Sequence, residues 1–215
     1  MKTIQEAIST IIKTKPYLEE SLNEGIINLT ALANQLMPEV EKLLSKEVKT
    51  GALVMAIKRH YPGKLTQINI QANNLIKNIS NIIVRSDISV FTYENTQELP
   101  SLLAKLSSEL SLHKGLFYTF SQGVFETTVI INNRAEDRLY QILSSVKWLS
   151  FTRNLSCITL YLPDDNTEIP GYYYFILKKI AWEGINIVEI LSTTNEFSII
   201  VSDDDVDRVF SVLKQ

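Results

Sequence analysis

The residues best suited to chemistry lie between positions 164 and 187, where polar and small residues flank a helical pattern. Asp164 and Asp165 supply carboxylates that can meet an ammonium group, and Pro170-Gly171 stands immediately before the helix. The first backbone N–H groups of a helix have no partner within it, so a loop that leads into a helix can receive a carboxylate. Gly171 lets a ligand approach the backbone closely, because glycine has no side chain. This combination predicts a site for a free amino acid.

The segment that follows the helix completes this expected site. Gly184 is placed to end the helix, and Ile185, Ile187 and Ile190 begin a β-branched run that predicts a strand. Backbone at Asn186 and Ile187 would then flank the side chain of the ligand. The residues predicted to bind the ligand are Asp164, Asp165, Ile169, Pro170, Gly171, Tyr172, Asn186 and Ile187. The alternative is that Pro170-Gly171 is only a turn and the loop is empty.

An internal repeat indicates the architecture of the region that contains this site. Residues 87–146 and 157–213 are similar at a spacing of 70 residues. The matched segments are Ile88-Ser89-Val90-Phe91 with Ile158-Thr159-Leu160-Tyr161, Glu98-Leu99-Pro100 with Glu168-Ile169-Pro170, and Asp137-Arg138-Leu139-Tyr140 with Asp207-Arg208-Val209-Phe210. The first copy has Ser101 in place of Gly171 and Phe117 in place of Asn186, so the loop pattern of the second copy is not kept in the first.

The second copy resembles the ACT domain, with Pro170-Gly171 before its first helix and Gly184-Ile185-Asn186-Ile187 after it. Two such copies resemble the C-terminal regulatory region of aspartate kinases, although residues 1–80 are too short and too helical to hold a kinase domain. The resemblance implies an α+β protein with two ferredoxin-like βαββαβ units that share a sheet, at residues 81–154 and 155–215. It also implies that an amino acid binds at the loop, usually at an interface between two units.

Each unit of this kind needs a fourth strand. Trp148 to Arg153 can supply the fourth strand of the first unit. No strand pattern follows the last predicted helix, Asp205 to Leu213, so the second unit must take its fourth strand from elsewhere. Ile82-Ile83-Val84, which precedes the first copy, is the predicted source.

Residues 1–64 carry only helical patterns and predict a helical bundle, followed by a linker helix over 65–80. We expect short helices over 4–12, 17–23, 29–37, 39–45 and 49–61, with Pro38 opening the fourth of them. The helices over 29–37 and 48–61 are candidates for a helix-turn-helix pair, and residues 1–64 hold 9 Lys and Arg against 7 Asp and Glu. The candidate nucleic-acid-binding residues are Lys46, Lys49, Lys58 and Arg59. The alternative is a docking or dimerisation module whose lysines face solvent.

Composition favours an ordinary soluble protein, with 45% hydrophobic residues, 21% charged residues and a net charge of −3. The single cysteine, Cys157, excludes an intrachain disulfide and a cysteine-cluster metal site, and its apolar setting is typical of a core residue. No signal-peptide pattern and no apolar run of membrane-spanning length is found, so we expect a cytoplasmic protein. No phosphate-binding loop or catalytic constellation is found, so we expect neither an enzyme nor a cofactor or a metal.

These patterns together predict a regulatory protein that senses a small molecule, an amino acid, through its paired units. An unpaired sheet edge and exposed tyrosines favour a homodimer. One hypothesis is an amino-acid-responsive DNA-binding regulator. The other is a non-catalytic interaction protein that docks and regulates an enzyme of amino-acid metabolism.

Overall fold

The computed structural model describes residues 2–60, 81–168 and 170–214. Residues 2–60 belong to a helical unit, and residues 81–168 and 172–214 belong to an α+β unit. The predicted linker helix over 65–80, and with it the boundary expected after residue 64, lies outside the described residues.

The described part of the helical unit consists of α1 (Ile4–Lys13), α2 (Pro16–Asn23), α3 (Leu29–Leu44) and α4 (Thr50–Arg59). Capping side chains set where the helices begin. Thr3 and Glu6 form a reciprocal capping box at α1, and the Asn28 side chain accepts hydrogen bonds from the first N–H groups of α3. One apolar core joins α1, α3 and α4; its fully buried members include Ala7, Ile8, Ile12, Ala33, Val40 and Leu53.

The expected helix break at Pro38 is wrong, because Pro38 lies inside the single helix α3. Proline removes one intrahelical hydrogen bond and crowds the preceding turn, which usually favours a break. Here the buried positions Leu32, Leu36 and Val40 continue the same helical face through the proline. Burial of that face holds the helix together across the missing bond. Helix α4 also begins and ends inside the predicted range of 49–61.

The α+β unit has two halves that follow the same order of elements. The first half contains β1 (Ile82–Glu94), α5 (Leu99–Ser111), β2 (Tyr118–Gln122), β3 (Glu126–Asn132) and α6 (Glu136–Ile142). The second half contains β4 (Trp148–Tyr161), α7 (Tyr172–Trp182), β5 (Glu189–Ser192), β6 (Glu196–Ser202) and α8 (Val206–Lys214). All six strands form one antiparallel sheet in the order β2-β3-β1-β4-β6-β5. This is the expected α+β class.

The long strands β1 and β4 lie side by side at the centre of the sheet and join its halves. Ile82, Ile83 and Val84 pair with the far end of β4, and the start of β4 pairs with residues 90–93 of β1. Both expected fourth-strand pairings are therefore present. Each long strand is kinked by one residue with positive φ, Asp87 at 59° and Asn154 at 57°.

The strand register corrects the repeat alignment. Glu126 pairs opposite Glu94, and Glu196 pairs opposite Tyr161, so β1 and β4 correspond at a spacing of 67 residues while β3 and β6 correspond at 70. The difference arises because the loop after β4, residues 162–171, is longer than the loop after β1, residues 95–98. Alternating apolar strands give several acceptable alignments by sequence, and hydrogen-bond pairing selects one.

The two faces of the sheet carry different apolar clusters. On the helix-covered face, Phe91 and Tyr93 pack with Leu99, Leu103 and other residues of α5 and α6. The opposite face carries a second buried cluster, which we call the concave-face cluster and which consists of Ile88, Val90, Ile130, Leu155, Cys157 and Ile200. No helix among the described residues is long and apolar enough to cross a membrane.

Candidate ligand-binding site

The loop between β4 and α7 is held against the turn between β5 and β6. It contains a short 3-10 turn, Asp164–Thr167, whose buried member is Asn166. Asn166 Nδ2 donates to the carbonyl oxygens of Pro163 at 2.7 Å and Thr194 at 2.9 Å. Leu162 N–H donates to the Asn195 carbonyl oxygen at 2.6 Å. The loop is therefore positioned by backbone acceptors rather than by apolar packing alone.

Asp164 is exposed, and its carboxylate accepts a hydrogen bond from Asn195 Nδ2 at 2.9 Å. The same amide group also donates to the Leu162 carbonyl oxygen at 3.3 Å. One carboxylate oxygen of Asp164 thus takes part in loop structure, while the side chain stays accessible to solvent. Asp165 lies in the same 3-10 turn.

Asn166 is the polar residue of this loop that sequence reasoning did not single out. Its side chain is 2% exposed, and among the described residues its Oδ1 atom has no hydrogen-bond partner. A buried acceptor without a partner costs about 1–3 kcal/mol, so most such atoms in folded proteins are satisfied by protein, water or ligand. The sequence Asp164-Asp165-Asn166-Thr167 shows a polar turn but carries no signal of which residue becomes buried.

The Pro170-Gly171 pair directly precedes α7, as expected for a loop that feeds a helix. Gly171 has a φ of +82°, a conformation that residues with a side chain rarely adopt, and both residues are exposed. Tyr172 begins α7 and is only 1% exposed, so its side chain belongs to the core and not to an open loop surface. Ile169 lies outside the described residues.

The strand expected around Asn186 and Ile187 is not formed. Strand β5 begins only at Glu189, and Asn186 and Ile187 lie in the connection that precedes it. Gly184 adopts a φ of +68° and ends α7 as predicted, and Ile185 is then buried at 6% exposure. Because Ile185 is buried, the chain runs toward the core after Gly184 and joins the sheet only at Glu189.

The predicted site residues are only partly brought together. Hydrogen bonds among the described residues join the loop to Thr194 and Asn195 of the β5–β6 turn, and none joins it to Asn186 or Ile187. The loop and the N-terminus of α7 therefore form the candidate ligand-binding site, with the Asn166 oxygen as its buried acceptor. No group of His, Cys, Asp or Glu suited to a metal ion is found in the described ranges.

The candidate nucleic-acid-binding residues lie on the helical unit and are all exposed. Lys49 precedes α4, whereas Lys58 and Arg59 lie in its last turn, about 14 Å further along the helix axis. None of the four basic residues forms an ion pair with a described residue. Lys46 and Lys49 therefore precede α4 and Lys58 and Arg59 lie at its end, so the four residues do not form one compact patch.

Comparison with known proteins identifies the fold. The sequence matches no protein-family model and no curated protein sequence. By structure, 63% of this chain overlaps 95% of the regulatory subunit of aspartate kinase from Thermus thermophilus, with 11% identity and a TM-score of 0.50. The regulatory subunit from Thermus flavus gives the same coverage and TM-score at 12% identity.

A third similar structure is a whole enzyme. Aspartate kinase from Clostridium acetobutylicum has a TM-score of 0.52 and 15% identity, over 63% of this chain but only 34% of the enzyme chain. At these identities the comparison establishes a common fold alone. Over 63% of its length, the fold of this chain is therefore similar to that of the regulatory subunits of aspartate kinases.

Proposed function

We propose that this chain is a non-catalytic regulatory protein that binds an amino acid at the loop between β4 and α7. The observation that carries the proposal is the buried Asn166 Oδ1, which lacks a partner among the described residues. The similarity in fold to regulatory subunits of aspartate kinases supports a regulatory role.

The chemistry of the proposed site follows from its acceptors and donors. A ligand carboxylate binds the free N–H groups at the start of α7, where the helix dipole also favours negative charge. The ammonium group donates to Asn166 Oδ1 and to the exposed carboxylate of Asp164. Gly171 has no side chain of its own, so a ligand can approach the loop backbone closely at this position.

The proposed effector function belongs to the helical unit. The exposed residues Lys46, Lys49, Lys58 and Arg59, which have no ion-pair partner among the described residues, favour contact with nucleic acid in a ligand-responsive homodimer. Duplex binding that weakens steeply with salt, and that falls when Lys49 and Lys58 are replaced, is the expected result. Absence of duplex binding at low salt favours the alternative effector, an enzyme of amino-acid metabolism docked by the helices.

A thermal-shift screen of the full chain against the proteinogenic amino acids tests the sensor function. A ligand present at about 100 times its dissociation constant adds about 2.7 kcal/mol, which corresponds to about 5–10 °C for a chain of this size. Absence of any shift contradicts the proposal.

Gly171→Asp tests the location, because a carboxylate there opposes the ligand carboxylate. The positive φ of Gly171 means that this substitution also strains the backbone. Gly115→Asp is the matched control, since Gly115 has a φ of +87° at the end of α5 and lies outside the loop. Loss of ligand binding in the first variant and its retention in the second support the site; equal affinity in both contradicts it.

A further inference from the structure

A cavity of about 300 Å³ lies on the sheet face that carries the concave-face cluster. Thr119 and Ser121 of β2 and Leu191 and Ser192 of β5 contribute to its lining. Since β2 and β5 are the two edge strands, the sheet must curve so that its opposite edges border one space. The volume is at the lower end for small-molecule sites and matches a small metabolite.

The floor of the cavity is apolar and its walls are polar. Phe117 and Leu191 line the cavity and also pack against the concave-face cluster. Hydroxyl groups of Thr119, Ser121 and Ser198 stand around that floor. Such a combination of an apolar base and a few hydrogen-bonding groups is typical of a ligand pocket.

Arg85 contacts residues of the cavity lining and has no ion-pair partner among the described residues. The half-buried Arg85 donates from Nη1 to Thr159 Oγ1 at 3.2 Å, and its guanidinium stacks 5.1 Å from the centroid of the Phe117 ring. Thr159 Oγ1 lies 2.8 Å from the hydroxyl oxygen of Ser198, which lines the cavity. No described carboxylate forms an ion pair with Arg85. A partly desolvated guanidinium of this kind is suited to bind a carboxylate.

The edge-strand side of the cavity carries negative charge. Glu196 contributes to the lining, and Glu189 precedes the lining residue Leu191 on the same face of β5. Burial raises the pKa of Glu189, and the nearby charge of Glu126 raises it further. The carboxylates of Glu189 and Glu126 therefore repel each other, and a cation beside them would relieve that repulsion.

We propose that this cavity binds a small zwitterion of the amino-acid class, distinct in position from the loop after β4. The ligand carboxylate faces Arg85 and the ammonium group faces Glu196 of the lining, because an anion or a cation alone leaves one side unmatched. The ligand class rests on the proposed function, whereas the place rests on the cavity and its charges.

The experiment is calorimetric titration of the full chain with each amino acid that gives a thermal shift. Ser121→Trp fills the cavity from an exposed edge position, and Gln122→Trp places the same side chain on the other face of β2 as a matched control. We expect an affinity loss of about tenfold or more in Ser121→Trp and no change in Gln122→Trp. Arg85→Met should lose binding, and Arg85→Lys should retain part of it.

The outcomes separate this proposal from the proposed function. The cavity site is overturned, and the sensor function left intact, if Ser121→Trp binds every amino acid with unchanged affinity. If the tryptophan variant does not fold, the same result in Arg85→Met decides. Binding that is lost in Gly171→Asp alone also overturns the cavity site. A native protein that binds no amino acid overturns both proposals.

Discussion

The loops after β1 and β4 occupy matching places in the two halves, and each contains an asparagine whose side-chain amide donates to the opposite hairpin turn. Asn95 Nδ2 donates to the Gly123 carbonyl oxygen at 2.9 Å, and Asn95 Oδ1 accepts from Thr127 Oγ1 at 2.6 Å. Asn166 Nδ2 is bonded in the same way to the opposite hairpin turn, at Thr194. Its Oδ1 has no partner among the described residues. Both side-chain atoms of Asn95 are thus hydrogen-bonded, whereas the Asn166 oxygen has no partner among the described residues.

The two central strands also differ in how their buried polar groups are hydrogen-bonded. Ser89 of β1 and Ser156 of β4 are both buried, and their hydroxyls contact Asn133 at 2.7 Å and Asp203 at 2.6 Å, at the start of the last turn of each half. In the first half, Ser89 also lies 2.5 Å from the buried carboxylate of Glu136. In the second half, Val206 stands at the position of Glu136.

The carboxylate of Glu136 is neutralised by Arg153, which donates to it from both Nε and Nη2. The Glu136 side chain is only 7% exposed, while that of Arg153 is 50% exposed and also stacks over the Phe151 ring at 4.9 Å. The pair raises the pKa of the Arg153 guanidinium, because its hydrogen bonds and charge favour the protonated form. The first half therefore pairs its buried carboxylate internally, whereas the second half holds one buried oxygen, Asn166 Oδ1, that has no partner among the described residues.

The largest effect is expected for Arg153→Ala, which leaves the buried Glu136 carboxylate without a partner. We expect this variant to lose more free energy of unfolding than the other variants described below, as measured by urea denaturation. The matched control is Arg208→Ala in the second half, whose ion pair with Asp205 is more exposed and should cost less than about 1 kcal/mol. Equal losses in the two variants would remove the contrast between the halves.

Replacement of the two buried serines tests the same contrast with a smaller change. Ser89→Ala should cost about 2 kcal/mol, since the Glu136 carboxylate beside it cannot reach water. Ser156→Ala should cost about 1 kcal/mol, because its partner Asp203 is exposed and can be hydrated. Thermal unfolding of both variants measures which substitution costs more stability. A larger loss of stability in Ser156→Ala than in Ser89→Ala would contradict the prediction.

The two loop asparagines separate structure from ligand binding. Asn95→Ala removes a fully bonded amide and should cost about 2 kcal/mol, with ligand-induced stabilisation unchanged. Asn166→Ala should cost only about 1 kcal/mol, because it also removes the unpartnered oxygen, and it should remove the part of the ligand-induced thermal shift that the loop site contributes. Retention of the full shift in Asn166→Ala would argue against the loop site.

The smallest effect concerns Glu189, whose pKa is raised mainly by burial and then by the charge of Glu126. A raised folded pKa means that ionisation of this carboxyl group destabilises the folded state as pH rises through that pKa. Glu189→Gln should therefore stabilise the protein at pH 7 by less than about 1 kcal/mol, because the group is partly exposed. The gain should vanish at a pH below the ordinary carboxyl range, and a gain that persists there would contradict this reading.

Much of the fold could be predicted from local patterns. The Asn28 cap, the end of α7 at Gly184 and the pairing of residues 82–84 with the far end of β4 all match the structure. The first two depend on residue types at short fixed spacings, which propensity encodes, and the third depends on the repeat, whose second copy has no fourth strand of its own. Pro38 and Asn186 were misassigned by the same local rules, because burial of α3 and of Ile185 outweighed them.

The amino-acid sequence by itself determined the order of the elements, the doubling of the unit and the position of the loop before α7. Tertiary structure alone decided that Asn166 is buried with an unpartnered oxygen, that Glu136 pairs with Arg153, and that the edge strands enclose a cavity. The physical reason is that the residues which form these features are far apart in the sequence. The partners of a polar atom arrive from other strands and turns, such as Thr194 opposite Asn166, and no local pattern records which of them will be in reach.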